Sequence, residues 1–146
     1  MSKWRPSKKN CIYVIPDIHG SLELLENICN RILPLRKSDG GKDKLVFLGD
    51  YIDRHIDSHK VLDFLIQLEK DYPDQVFFLM GNHELMLLEA LNKVPGRSIS
   101  LASMTSSYNM WLKNGGWDAL SGYLLRAGVQ EVPWDFPRSR LETYVP

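Results

Sequence analysis

The sequence predicts an α/β protein with a parallel βαβαβ core and flanking helices. Two observations carry that expectation. Apolar, β-prone runs occur at Ile12-Tyr13-Val14-Ile15, Leu45-Val46-Phe47-Leu48 and Val76-Phe77-Phe78-Leu79-Met80. They are spaced about 30 residues apart, the length of a strand-helix-strand unit, with helical periodicity in each interval. Each run also ends in a turn bounded by glycine or proline and loaded with polar ligands. These turns are Pro16-Asp17-Ile18-His19-Gly20, Gly49-Asp50-Tyr51-Ile52-Asp53-Arg54 and Gly81-Asn82-His83-Glu84. In α/β sheets, ligands collect outside the carboxyl ends of parallel strands, so the three turns can converge on one site. That is the pattern of an enzyme.

In chain order, residues 1–10 hold Lys3, Arg5, Lys8 and Lys9 around Trp4 and read as a flexible basic tail. After the first strand, Ser21 suits a helix N-cap, and Glu23 and Glu26 suit a first turn. Leu22, Leu25, Ile28, Cys29 and Ile32 then fall on one helical face, giving a helix over 22–33 that Pro34 ends. A loop over 37–42 leads to the second strand, by a crossover expected to be right-handed. Asp57-Ser58 can cap a helix over 59–70 carrying Val61, Leu62, Phe64, Leu65 and Leu68, and Tyr72-Pro73-Asp74 stops it. The third strand follows, and a third helix begins near Asn82 and runs through Leu85, Leu88 and Leu91. His83 then sits at a helix N-terminus.

Residues 11–93 thus form a motif-bearing core, and 94–146 change character. Pro95-Gly96-Arg97-Ser98 reads as a loop, and Ser103 to Ser107 is small and polar. Met110, Trp111, Trp117, Leu120, Tyr123 and Leu124 predict two short helices split at Gly115-Gly116, their Trp and Met side chains in the core. Val132 to Pro146, with three prolines, reads as extended or irregular. His55 and His59 read as solvated residues flanking a helix start.

The bulk numbers exclude several function classes. A chain of 146 residues fits one domain, and 18 basic residues balance 18 acidic ones, so no net charge draws it to nucleic acid or anionic lipid. Two cysteines, Cys11 and Cys29, make no disulfide framework and suit a reducing compartment. No apolar run reaches the ~20 residues of a membrane span, and no signal peptide is visible. A soluble, cytoplasmic protein with no membrane partner is the expectation.

Chemistry concentrates in the second turn. Asp50 and Asp53 repel each other unless a cation or a strong hydrogen-bond donor lies between them. Arg54 beside a cation implies an anion with bidentate geometry, phosphate being the natural candidate.

With these residues the chain resembles the calcineurin-like metallophosphoesterases. Asp17-Ile18-His19-Gly20, Gly49-Asp50-Tyr51-Ile52-Asp53-Arg54 and Gly81-Asn82-His83-Glu84 look like the first three signature motifs of that family, in order. Within it the chain is similar to the phosphoprotein phosphatase branch, especially bacterial serine/threonine phosphatases and symmetrical diadenosine tetraphosphatases. The resemblance covers residues 11 to about 90, with a looser match at Trp111-Leu112-Lys113-Asn114-Gly115-Gly116. It implies the N-terminal half of an αββα sandwich and two divalent metal ions, Mn²⁺ first, with Fe or Zn²⁺ as alternatives. Asp17 and His19 would bind the first metal, Asp50 would bridge both, and Asn82 would bind the second and help hold substrate. Arg54 would hold the phosphate oxygens. His83, oriented by Asp53, would protonate the leaving oxygen.

Three departures stand out. Pro16 replaces the usual glycine before the first aspartate, and His55 replaces the usual glycine after Asp-Arg, where a positive φ would strain it. The family also completes its second metal site with two histidines far downstream, whereas here the histidines stop at 19, 55, 59 and 83. The C-terminal part of the fold is therefore expected to be absent and the second metal site incomplete. The expected activity is metal-dependent phosphoester hydrolysis on a phosphoprotein. The alternatives are a dinucleoside polyphosphate substrate and a catalytically incomplete phosphate-binding fragment. Apolar residues on both faces of the sheet, with helices enough for one, imply self-association of the short chain.

Overall fold

The computed structural model describes residues 10–33, 43–133 and 135–145. The basic tail up to Lys9, Pro34, and the loop expected over 37–42 lie outside the described residues. The three strands are β1 (Ile12–Ile15), β2 (Lys44–Phe47) and β3 (Val76–Phe78), and they pair in parallel in the order β1-β2-β3. Helix α1 (Leu22–Ile32) joins β1 to β2, and α2 (Ser58–Asp71) joins β2 to β3. The sequence places all five elements within one or two residues of where they lie.

One face of the sheet is closed. Ile15, Leu45, Phe47 and Val76 share a core with Leu25 and Cys29 of α1 and with Val61, Leu65 and Leu68 of α2. Side chains as fully buried as Leu45 and Phe47 each contribute roughly 1.5–3 kcal/mol relative to exposure. Phe78 stacks on Phe47 at 5.1 Å between centroids and carries that core to the edge strand.

The other face is open. Ile12 and Val14 of β1 are 66% and 53% exposed, and Phe77 of β3 is 42% exposed with the Lys44 ammonium over its ring. The alternation follows from strand geometry, since successive side chains point to opposite faces. Apolar residues on both faces therefore leave one set uncovered. Sedimentation velocity of the 146-residue chain should accordingly show concentration-dependent association. Exchanging Val14 and Phe77 for threonine should weaken it, and a concentration-independent monomer would exclude it.

Beyond β3, α3 (Asn82–Ala90) is followed by α4 (Leu101–Trp111), a π turn (Leu112–Gly116) and α5 (Trp117–Arg126). Helix α4 extends through the serine-rich stretch that the sequence leaves outside any helix. Small polar residues are weak helix formers. Here Ser100 caps the helix, its Oγ accepting the Ser103 N–H at 3.2 Å, and packing against α3 supplies the rest. Ser107 ties the two helices by donating to Glu89 at 2.8 Å.

Trp111 is wholly buried as expected, but Met110 faces outward and is 54% exposed. The segment expected to be irregular folds as a 3₁₀ turn (Arg138–Arg140) and α6 (Leu141–Tyr144). Phe136, Leu141 and Val145 are buried there, and Tyr108 donates to the Phe136 carbonyl at 2.5 Å. Pro137 sits just before the 3₁₀ turn, where its missing N–H costs nothing. No helix among the described residues is long and apolar enough to cross a membrane.

Candidate functional site

The three turns meet at the carboxyl ends of the strands. The Ile18 and His19 amides donate to the Asp50 carbonyl at 3.0 and 2.9 Å, and Gly20 donates to that of Tyr51 at 2.7 Å. Turn two rests on turn three through glycine. A Cβ on Gly81 would lie 2.0 Å from Asp50 Oδ1, and one on Gly49, at φ +110°, would lie 2.4 Å from the Gly81 nitrogen. The strand ends can approach this closely only because neither position carries a side chain.

Four candidate residues hold left-handed backbones: His19 (φ 45°), Asp50 (52°), Asp53 (76°) and Arg54 (63°). His55 is absent from this set, so the strain anticipated there falls on the two residues before it. Such conformations cost of order 1–3 kcal/mol each and persist only where the surroundings over-determine them.

Several bonds do so. Asp53 N–H donates to Ser58 Oγ at 3.0 Å, and Ser58 in turn donates to the His55 carbonyl at 2.7 Å. Arg54 N–H donates to the Gly115 carbonyl at 2.9 Å. Ser58, expected to help cap α2, is instead the lock of this turn. Asp57 makes no side-chain cap bond and pairs with Lys60 at 2.7 Å.

The Glu84 carboxylate accepts four backbone N–H groups: Asp50 and Gly81 on one oxygen, at 2.8 and 3.0 Å, and Tyr51 and Ile52 on the other, at 2.8 and 3.3 Å. One bond reaches back to the start of its own helix, as an acidic residue at the third helical position often does. The other three hold turn two.

His83, on the first turn of α3, is buried with Asp53. Its Nδ1 donates to Asp53 Oδ2 at 2.7 Å, and Trp111 Nε1 donates to Asp53 Oδ1 at 2.8 Å. Burial pushes the Asp53 carboxyl up to about 6, and the bonds from His83 and Trp111 pull it the other way. Arg54 Nη2 points at His83 Nε2 from 3.5 Å, so that nitrogen carries the lone pair in the neutral ring and faces the site.

Ligand atoms of His19, Asp50 and His83 lie within 4.8 Å of one another. Asp50 Oδ1 accepts the His83 amide at 3.1 Å, which fixes that carboxylate. His19 Nδ1 lies 3.1 Å from the Ile52 carbonyl, an acceptor only, so Nδ1 holds the proton and Nε2 is left for a ligand. A backbone carbonyl behind one imidazole nitrogen is the usual support of a metal-binding histidine. Asp17 Oδ2 stands 3.9 Å from that free nitrogen, with its own side chain 60% exposed. A carboxylate pair with imidazole between them fits a divalent cation.

Asn82 occupies the first position of α3, next to His83, and is exposed. Pro16 is exposed. His59 is not the solvated residue expected: its Nδ1 is buried without a partner among the described residues, under Gly122 and near the Tyr123 ring.

Glu84, Ser58 and Trp111 are the contributors that the sequence did not single out. For Glu84 a signal existed, the glycine-to-glutamate spacing at a helix start. For Trp111 it lay in the looser family match over residues 111–116.

Residues 12–140 match a family model described as calcineurin-like phosphoesterase. The serine/threonine-protein phosphatase PP2A-like PPG1 of Candida albicans is 36% identical over 99 residues, 62% of this chain and 22% of that protein. Serine/threonine-protein phosphatase 2 of Escherichia coli is 35% identical over 107 residues, 72% of this chain and 38% of that protein. The symmetrical bis(5'-nucleosyl)-tetraphosphatase of Pseudomonas fluorescens is 33% identical over 82 residues, 56% of this chain and 26% of that protein. The chain therefore spans between about a fifth and two fifths of these relatives' lengths.

Proposed function

Because the chain belongs to the calcineurin-like phosphoesterase family, we propose that it carries the motif-bearing part of a metal-dependent phosphoester hydrolase of the serine/threonine protein phosphatase kind. The reading rests above all on the convergence of His19, Asp50 and His83 within 4.8 Å at the strand ends. In this reading Asp17 and His19 would hold one divalent cation, Asp50 would serve both that ion and a second, and Asn82 would contribute to the second site, with Mn²⁺ as the first candidate and Fe or Zn²⁺ as the alternatives. When bound, such cations acidify a water for attack on phosphorus and neutralise charge on the phosphate. Arg54 orients the phosphate oxygens. His83 carries a proton on Nε2 to the leaving oxygen while Asp53, held at Nδ1, stabilises the imidazolium. Cys11 and Cys29 form no disulfide among the described residues, which supports the reading of a reducing, cytoplasmic setting.

A second reading, hydrolysis of a symmetrical dinucleoside polyphosphate, is favoured by the tetraphosphatase relative. Both substrates present a tetrahedral phosphorus to the same groups, so release of inorganic phosphate from a phosphoserine peptide against cleavage of diadenosine tetraphosphate separates them. Absence of turnover on either would favour the third reading, a phosphate-binding fragment with an incomplete second site.

Metal binding is tested with Asp50→Asn. Asparagine keeps an oxygen for the His83 amide but removes the charge, so the fold should survive. Calorimetric titration with Mn²⁺ should show binding at least about tenfold weaker than in the parent chain. Equal affinities would remove Asp50 from the site.

A further inference from the structure

The α4 terminus and the π turn after it reach into the site from a part of the chain that carries none of the three motifs. Three contacts converge on the Asp53-Arg54 dipeptide. The Trp111 indole donates to Asp53 Oδ1 at 2.8 Å, with both side chains wholly buried. The Gly115 carbonyl accepts the Arg54 amide at 2.9 Å. Gly115, at φ +104°, lies so near Arg54 that a Cβ would stand 2.7 Å from its Cγ. Gly116 lets the turn close over the indole, since a Cβ there would lie 2.4 Å from the ring.

This is more contact than core filling requires. A tryptophan placed only for volume leaves its N–H to any acceptor, whereas this one meets the second oxygen of the carboxylate that holds His83.

We propose that Trp111 is a positioning residue: its indole N–H fixes the Asp53 carboxylate, which then holds the His83 proton on Nδ1 and leaves Nε2 as the nitrogen facing substrate. The proposal rests on the phosphoesterase reading for its catalytic meaning, but its geometric part does not. Asp53 Oδ2 bonds His83 and Oδ1 bonds Trp111, so the carboxylate is pinned at both ends and cannot turn about its Cβ–Cγ bond. With Oδ1 released, the group can rotate, and the imidazole loses the partner that selects its tautomer. The π turn adds backbone restraint through Gly115. A segment outside the motifs thereby sets the proton position of a residue within them.

The test replaces only the N–H. Trp111→Phe keeps an aromatic ring in the cavity, and Trp117→Phe, on the neighbouring helix α5 and with no hydrogen bond to Asp53 among the described residues, is the control. In the metal-free protein above neutral pH, ¹⁵N spectra of labelled histidine should show His83 as the Nδ1–H tautomer in the parent and in Trp117→Phe. In Trp111→Phe the Nε2–H form should appear alongside it. An unchanged tautomer in a folded Trp111→Phe would overturn the proposal. Should that variant not fold, Asp53→Asn in the intact-tryptophan chain must move the Trp111 indole N–H resonance, and an unmoved resonance would overturn it equally.

With Mn²⁺, Trp111→Phe should lower kcat for an alkyl phosphate by about ten- to a hundredfold at unchanged KM. p-Nitrophenyl phosphate, whose leaving group needs no proton, should stay within about twofold. Equal losses on both would mean a merely structural tryptophan. A parent chain that hydrolyses neither would favour the phosphate-binding fragment over the hydrolase, while the histidine spectra would still decide the role of Trp111.

Discussion

In a full-length form that turns over phosphate esters, replacing His83 by asparagine will slow hydrolysis of an alkyl phosphate or a phosphoserine peptide by about 10²–10⁴-fold and will slow p-nitrophenyl phosphate far less. The asymmetry follows from the leaving group. An alkoxide departs only when protonated, and a positioned general acid is worth about that factor. A nitrophenolate departs without help. Asparagine approximates the Nδ1–H donor with its amide, so Asp53 keeps a partner, but it offers no transferable proton in place of Nε2. The 2.7 Å bond to Asp53 and the burial of both residues make the pair a fixed unit, so the loss should appear in kcat. Steady-state rates on the two substrates, each divided by the parent's, give the answer directly. Equal losses would move His83 from proton donor to metal support, a role its place beside His19 and Asp50 also permits.

Glu84→Ala will destabilise the protein by about 3–5 kcal/mol, because a hydrogen bond to a charged acceptor contributes ≈1.5–3 kcal/mol and water can replace part of what is lost. Four backbone amides lose their acceptor at once, three of them in the turn that carries Asp50. Total stability of a domain is only about 5–15 kcal/mol, so the change should be plain in urea unfolding and lower Tm by roughly 10 °C. Glu84→Gln will recover little. Each oxygen serves two N–H donors, so whichever one becomes an NH₂ group faces two donors with a third. Mn²⁺ affinity should fall with stability, since Asp50 loses the restraint on its amide. A loss below about 1 kcal/mol would show that turn two is held by its glycines and Ser58 instead.

Much of the fold was legible because its signals are local. Strand runs, helical faces and ligand-bearing turns each lie within a dozen residues, and the parallel order β1-β2-β3 follows from strand-helix-strand spacing. The turns that carry His19, Asp50 and His83 could be expected to meet because each follows the end of a parallel strand. The serine-rich N-terminal part of helix α4 and the packed segment around Phe136 and Leu141 were not legible, although the two helices split at Gly115-Gly116 were. Their serines and prolines argue locally against order, and only partners far along the chain reverse that balance.

What the sequence alone determined is the chemistry at three strand ends and the excess of apolar residues on the sheet. What only the tertiary structure decided is how that chemistry is held. Trp111 meets Asp53 across 58 residues, and Glu84 meets Asp50 across 34. The left-handed backbones of Asp50, Asp53 and Arg54 are imposed by those bonds and by Gly81 and Gly115, against the residues' own preference. The reason is physical: a strand or a helix follows from the preferences of neighbours, whereas a strained turn exists only where distant groups together supply more free energy than the strain costs.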